Sequence, residues 1–209
     1  RAKGVDTVAV TAGYIDAAPR ETFFPAMDAA NVDLKAFSDD FYYRICGGRL
    51  TPVLETLEYI RHETNTWLEL TTLLIPGEND SNAELDAMTR WVVERLGPDV
   101  PMHFTAFHPD WKMRDTAPTP AATLSRARRI AMANGVRYAY TGNVSDPQGG
   151  STWCPGCGEL LIERDRYRLG AWHLDSEGRC ASCGSSIAGR FSAKPEQFGA
   201  QRVPLRFEH

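Results

Sequence analysis

The 209 residues hold no apolar run long enough to cross a bilayer, no recognisable signal peptide, no internal repeat and no low-complexity tract. The compartment to expect is therefore the cytoplasm. An excess of positive charge is also missing. With 23 Lys and Arg against 27 Asp and Glu, the net charge is −4, and no global basic field invites nucleic acid or anionic lipid. Arg126, Arg128 and Arg129 cluster, but at helical spacing they read as a solvated face. Cysteine is scarce, with five in all, and a cytoplasmic chain disfavours a disulfide framework. What is plentiful is apolar material, 43% of the chain, enough for a real core and for an enzyme of about one and a half domains.

That material is laid out as strand then helix, repeatedly. Strands are expected at 5–10, 30–34, 66–74, 102–106 and 136–140. The helices between them are legible from their ends. Thr51 and Pro52 open one whose Leu54, Leu57 and Ile60 make an apolar stripe. Ser81 and Glu84 form a capping box before Leu85, Met88, Val92 and Leu96, and Gly97-Pro98 ends that helix. Thr119-Pro120 opens a third through Leu124, Ala127 and Ala131, with Gly135 as its left-handed stop. Such alternation predicts a parallel sheet in an α/β fold, a partial (β/α) barrel. Five strands are too few to close a barrel, and the chain enters its first strand almost directly after Arg1. The expectation is thus a fragment whose fold continues upstream.

Barrel enzymes collect their chemistry at the C-terminal ends of the strands. Thr11 and Gly13 follow the first strand, Asp33 and Lys35 close the second, and Pro76-Gly77-Glu78-Asn79-Asp80 follow the third. Thr105 and His108 end the fourth, and Tyr140 and Asn143 the fifth. Each has a plainer reading. Asp33 and Lys35 alternate on one face and could be a structural ion pair, His108-Pro109 could terminate a strand, and residues 78–80 could be a turn before a helix. His103 reads as a satisfied core histidine, His62 and His173 as surface residues, and Cys46 as a packed or incidental thiol. Trp111 and Lys112 are weaker candidates for a substrate-side lining.

Cys154-Pro155-Gly156-Cys157 and Cys180-Ala181-Ser182-Cys183 are two knuckles, each followed by glycine and separated by residues 158–179. Two intervening residues let both sulfurs of a knuckle reach one metal, and the glycine permits the turn that aims backbone N–H groups at sulfur. Four thiolates leave no open coordination position, so a structural site for zinc, or for a single iron, is expected. Tyr167, Leu169, Ala171 and Trp172 suit a short hairpin between the knuckles. The domains to expect are 1–148 for the partial barrel, 149–191 for the ribbon and 192–209 for a loose tail, in which residues 203–207 could pack back as an extended piece.

As a set, Thr11-Ala12-Gly13-Tyr14-Ile15, Asp33-Leu34-Lys35-Ala36-Phe37, Gly47-Gly48 leading to Val53-Leu54-Glu55-Thr56-Leu57, and Leu74-Ile75-Pro76-Gly77-Glu78-Asn79-Asp80 resemble the radical S-adenosylmethionine (SAM) enzymes related to pyruvate formate-lyase activating enzyme. With His103-Phe104-Thr105-Ala106-Phe107-His108-Pro109, Thr141-Gly142-Asn143-Val144 and the terminal ribbon, the resemblance is to the radical SAM proteins of the AmmeMemoRadiSam system and runs from Val5 to about Phe191. It implies a [4Fe-4S] cluster with SAM on its unique iron, an electron donor, and a 5′-deoxyadenosyl radical that abstracts hydrogen from a substrate. It also implies Memo-like and AMMECR-type proteins as partners.

On this resemblance Asp33, Lys35 and His108 surround SAM, the Pro76-Gly77 turn lies against its nucleoside, and Thr11 and Gly13 line the same cofactor site. The chemistry is compatible, since Lys35 can pair a carboxylate, Asp33 an ammonium or cation, and His108 can hydrogen-bond the nucleoside. Two departures stand out. The family's Cys-x3-Cys-x2-Cys and the glycine-rich segment after it are absent, and Ala12 stands where many relatives carry asparagine. Two other functions use the same residues. In one, Lys35 with Asp33 is the Schiff-base or decarboxylase lysine of a (β/α)-barrel lyase. In the other, the ribbon is a non-catalytic docking module.

Overall fold

The computed structural model describes residues 5–166 and 168–191. Arg1, Tyr167 and the stretch 192–209 expected to be a tail, with its extended piece at 203–207, lie outside the described residues. The chain divides into two compact units, Arg1–Val144 and Ser145–His209.

The first unit is built on a five-stranded sheet in the order β1 (Val8–Thr11), β2 (Ala29–Asp33), β3 (Trp67–Leu74), β4 (Met102–Ala106), β5 (Ala139–Gly142), every neighbouring pair parallel. Between them run α1 (Ala17–Phe23), α2 (Thr51–Glu63), α3 (Asn82–Arg95) and α4 (Ala121–Ala133). The α/β class and parallel pairing expected from the alternation are present, as an open sheet in sequential order.

Strand parity divides the sheet into two chemically different faces, because side chains alternate across a strand. Ala30, Val32, Leu68, Leu70, Thr72, Leu74, Met102 and Phe104 are buried in one core with Val53, Leu57 and Ile60 of α2, Leu85, Met88 and Val92 of α3, and Leu124, Ala127 and Ala131 of α4. Truncating one of these leucines to alanine would cost about 2–5 kcal/mol in lost transfer energy and cavity. The other face carries Asn31, Asp33, Glu69, Thr71, His103 and Tyr140, all partly exposed. Parallel strands are usually buried on both sides and apolar throughout. Here Asn31, Asp33, Glu69, Thr71, His103 and Thr105 put polar groups on the second face of the central strands, among Ala29, Trp67 and Leu73, so this face is built for something other than core.

The helix ends mostly follow the sequence. Pro52 occupies the first turn of α2, Gly97 and Gly135 take φ of 95° and 102°, and the Ser81 side chain accepts from Glu84 N–H. The capping box is otherwise different from expectation. The Glu84 carboxylate, instead of reaching back to its own N-cap, accepts from Phe37 N–H at 2.7 Å, which ties α3 to the loop after β2. Leaving water for that position raises the Glu84 pKa, with the hydrogen bond acting the other way.

Two strands are displaced. The first begins at Val8, with Val5 and Asp6 exposed. The fifth is Ala139–Gly142, not 136–140, because the chain leaving α4 turns back on itself. Val136 N–H returns to Ala131 O and Arg137 N–H to Pro98 O, so these residues are buried or engaged without forming a ladder. Unanticipated elements are α1 and a five-residue π-helix, Tyr42–Cys46, closed by Gly47 at φ 69°. The arginine cluster is also more than a solvated face: Arg128 Nε donates to Ala139 O at 2.8 Å, and Arg126 reaches Asn82 and Asp80.

The second unit has a three-stranded antiparallel sheet of β6 (Thr152–Trp153), β7 (Leu160–Asp165) and β8 (Arg168–Trp172). β7 and β8 are the hairpin expected between the knuckles, with Leu169, Ala171 and Trp172 on β8. At the boundary expected between 148 and 149, residues Pro147–Gly150 form a single helical turn capped by Asp146. Among the described residues no helix is long and apolar enough to cross a membrane.

Candidate functional site

The C-terminal edge of the sheet holds the first cluster. Asp33 ends β2, and its carboxylate meets Lys35 Nζ at 2.7 Å, both side chains about a third exposed. The backbone beneath them is fixed from two directions. Lys35 N–H donates to the hydroxyl of buried Tyr42, whose own pKa burial pushes well upward. Lys35 O accepts from Asn79 Nδ2 at 2.6 Å.

Asn79 is fully buried and satisfies three backbone groups, Lys35 O, Leu73 O at 2.9 Å and Ile75 N–H at 2.7 Å, so it clamps the ends of β2 and β3 together. It serves the scaffold and is no ligand. Its neighbours do similar work: Asp80 accepts from Gly77 N–H, while Arg44 of the π-helix bridges Asp40 and Glu78 at 2.7 and 3.0 Å. The turn it stabilises leaves Gly77 at φ 79° with open space where a Cβ would stand, and Pro76 only partly buried. A flat ligand can approach that backbone closely.

Thr11 ends β1 and its hydroxyl accepts from Gly13 N–H at 3.2 Å. Gly13 is glycine for a packing reason. At φ 66°, a Cβ would stand 2.7 Å from Val32 Cγ1, so the residue lets the loop close onto the core. His108 lies two residues beyond β4 with an exposed side chain, and β4 is separated from β2 by β3 alone. The loop that carries it is tied down through Thr119, whose hydroxyl bonds Phe107 N–H and Leu74 O. Asp33, Lys35, Pro76, Gly77 and His108 thus share one edge of the sheet. Trp111 takes a left-handed φ of 44° and stands exposed, with the Lys112 ammonium over its ring. Cys46 is exposed at the end of the π-helix, not packed. Partial desolvation raises its pKa, opposed by the charge of Lys35.

A second cluster lies one step down the open face, and the sequence did not point to it. His103 is not a core residue: its Nε2 meets Glu69 Oε2 at 2.8 Å, its ring stacks on Tyr140 at 5.0 Å, and its side chain is 30% exposed. Trp67 Nε1–H donates to the other Glu69 oxygen at 2.9 Å, and Thr71 donates to Asn31 at 2.8 Å. Tyr140, expected at a strand end, sits within β5 opposite His103. The signal was present as the alternation Trp67, Glu69, Thr71 against Leu68, Leu70, Thr72, which a strand buried on both faces would not show.

The second unit gathers Cys154, Cys157, Cys180 and Cys183 with all four sulfurs within 4.8 Å of one another. The two knuckles are built alike. Cys154 and Cys180 are buried and donate N–H to Glu159 O and Ser185 O, while Gly158 and Gly184, at φ 77° and 74°, return N–H to the carbonyls of those same cysteines. Sulfurs across the knuckles are 3.6 and 3.8 Å apart, far beyond a disulfide of about 2.05 Å. A tetrahedral metal with bonds of about 2.3 Å to sulfur has edges of about 3.8 Å. The donor set therefore fits one four-coordinate ion. Hydrogen bonds from Ser185 lower the Cys183 pKa, while at Cys157 the sulfurs of Cys183, Cys154 and Cys180 outweigh a backbone hydrogen bond and raise it.

No family model matches the sequence. The chain is 40% identical over 188 residues to an uncharacterized protein of Methanocaldococcus jannaschii, an alignment that covers 90% of this chain and 55% of that one. The chain therefore spans about half the length of the curated relative it matches. Among solved structures it is similar to a domain of pyruvate-formate lyase-activating enzyme from Bacteroides vulgatus, with TM-score 0.59 and 12% identity over 68% of this chain and 84% of that one. Weaker similarity extends to a radical SAM methyltransferase from Sphaerobacter thermophilus, with TM-score 0.43 and 19% identity over 54% of this chain and 33% of that one. The first of these likenesses establishes a shared fold: the parallel sheet unit is one on which an activating-enzyme domain is also built.

Proposed function

We propose that this chain supplies the SAM-facing strands of a radical SAM enzyme and that Asp33 and Lys35 hold the methionyl end of the cofactor. The observation that carries the reading is the 2.7 Å ion pair at the C-terminal edge of β2, held on a backbone that Tyr42 and Asn79 fix from below. A zwitterionic amino-acid group presents one charge of each sign, and a fixed carboxylate beside an ammonium is its complement. Gly77 offers backbone without a side chain to the flat nucleoside, and His108 offers a ring nitrogen at the same edge. Thr11 orders the neighbouring loop through Gly13.

The cysteines present do not fit an iron-sulfur cluster of the Cys-x3-Cys-x2-Cys kind. Four are committed to the ribbon site and Cys46 stands apart. Ligands for such a cluster belong, in this proposal, to further residues of a longer protein. Within the radical SAM enzymes the reading extends to the AmmeMemoRadiSam group, with Memo-like and AMMECR-type proteins as partners and zinc as the ribbon ion.

The test is anaerobic reconstitution of the longer protein, metal analysis, and a dithionite-driven assay for 5′-deoxyadenosine. Four cluster irons plus one zinc are expected, with deoxyadenosine formation falling at least tenfold in Lys35→Ala at unchanged melting temperature. Zinc alone, no deoxyadenosine and a borohydride-trapped adduct on Lys35 would instead assign the lysine-dependent lyase chemistry.

A further inference from the structure

We infer that Trp67, Glu69 and His103 form an acid–base site on the open face, separate from the Asp33/Lys35 pair, in which His103 Nδ1 accepts a proton or hydrogen bond from a hydroxyl or ammonium group of the bound substrate. Donors and acceptors alone fix the roles here, whichever reaction the Asp33/Lys35 pair serves. An indole N–H can only donate, so the Glu69 oxygen facing Trp67 must accept. The other oxygen of the carboxylate, 2.8 Å from His103 Nε2, accepts too. In the neutral ring the proton must therefore reside on Nε2, which leaves the lone pair on Nδ1. Stacking on Tyr140, 5.0 Å away and tilted by 21°, fixes the plane of the ring and with it the direction of that lone pair. Among the described residues, none is hydrogen-bonded to Nδ1.

The arrangement is that of a carboxylate-oriented histidine, the logic by which a buried acid sets tautomer and direction for a base. When Nδ1 takes a proton, the O–H or N–H bond of the substrate breaks, its electron pair stays on the substrate atom, and the imidazolium is countered by Glu69. No redox partner is needed. The site is placed to meet a ligand held at the strand ends. His103, Thr71 and Asp33 share one register row, and Lys35 lies one pleat further along, roughly 12 Å from His103 between Cα atoms by standard strand spacing. A substrate of small-molecule or side-chain size anchored near Lys35 spans that distance, with Leu73 and Thr71 between the two sites.

The decisive experiment is long-range proton–nitrogen correlation on the 15N-histidine-labelled chain at a pH where the imidazole is neutral. Wild type is expected in the Nε2–H tautomer. Glu69→Gln should invert it, because Trp67 continues to claim the carbonyl oxygen and turns the amide NH2 toward Nε2. Modification of His103 by diethyl pyrocarbonate, followed by peptide mass mapping, should slow at least tenfold in the same variant. His103→Gln, which keeps a donor for Glu69 but no base, should melt like wild type. An Nδ1–H tautomer in wild type would overturn the inference without recourse to any variant, as would unchanged tautomer and reactivity in a folded Glu69→Gln protein. Neither result bears on SAM binding.

Discussion

The two units reach order by different means. The sheet unit covers one whole face with three amphipathic helices and buries leucines, isoleucines and phenylalanines in a single core. The ribbon buries little beyond Leu161, Ile162, Ile187 and two of its cysteines, and its shape follows from two matched turns that aim four sulfurs at one point. A small domain with a thin core needs such a staple. The first unit can therefore leave its second face polar and accessible, since its stability is met elsewhere. The ribbon has no such freedom.

The sharpest way to break the comparison is to deny the four sulfurs any ion they would hold. Chelation, or Cys154→Ser with Cys180→Ser, should abolish the ribbon's dispersed amide signals while those of β1 to β5 stay in place, because metal binding in such sites amounts to about 10–16 kcal/mol of folding energy. If both units melt together, the division is wrong. Next in size is Asn79→Ala. It strands two carbonyls and an N–H in the interior and should lower the stability of the sheet unit by about 3 kcal/mol in urea titration, leaving the ribbon untouched.

Gly13→Ala combines a left-handed backbone with contact on Val32. It should cost about 1–3 kcal/mol, measured by the same titration, whereas Gly77→Ala, with open space around it, should cost less. The smallest effect is a pH dependence. Burial raises the Glu84 pKa in the folded state, so folding favours its protonated form. That contribution is complete below the unfolded carboxyl pKa and is lost as pH rises through the folded one. Glu84→Gln should therefore gain on wild type with rising pH across that window and show no advantage in acid. A constant difference at every pH would remove the assignment.

Much of this was readable from the residues. Pro52, Ser81, Gly97 and Gly135 each impose a backbone geometry that few neighbours can override, so the helices fell where their ends said. The cysteine spacing fixed the ribbon for the same reason, since two knuckles admit few alternatives to one tetrahedron. The partnership of Glu84 with Phe37, the clamp at Asn79 and the displacement of β5 were not readable. Each depends on a contact between segments far apart in sequence, and local pattern is silent about those. The parity of His103 follows from buried Met102 and Phe104 on either side, but what it meets on that face does not. Only the register brings it beside Glu69 and Tyr140.

The two-sided sheet also has a consequence for how such a chain can change over generations. In β3 the even positions answer to volume and the odd ones to chemistry, so neighbouring residues live under different selection although they share a backbone. Descendants should drift at two speeds along one strand, with Leu68, Leu70 and Leu74 exchanging only for residues of like size while Trp67, Glu69 and Thr71 answer to the polar contacts of the open face. A one-residue deletion within the strand would exchange the two sets at a stroke, burying the glutamate and exposing the leucines. Length variation in such a lineage must then be carried by the loops, and the strands can diversify only by substitution.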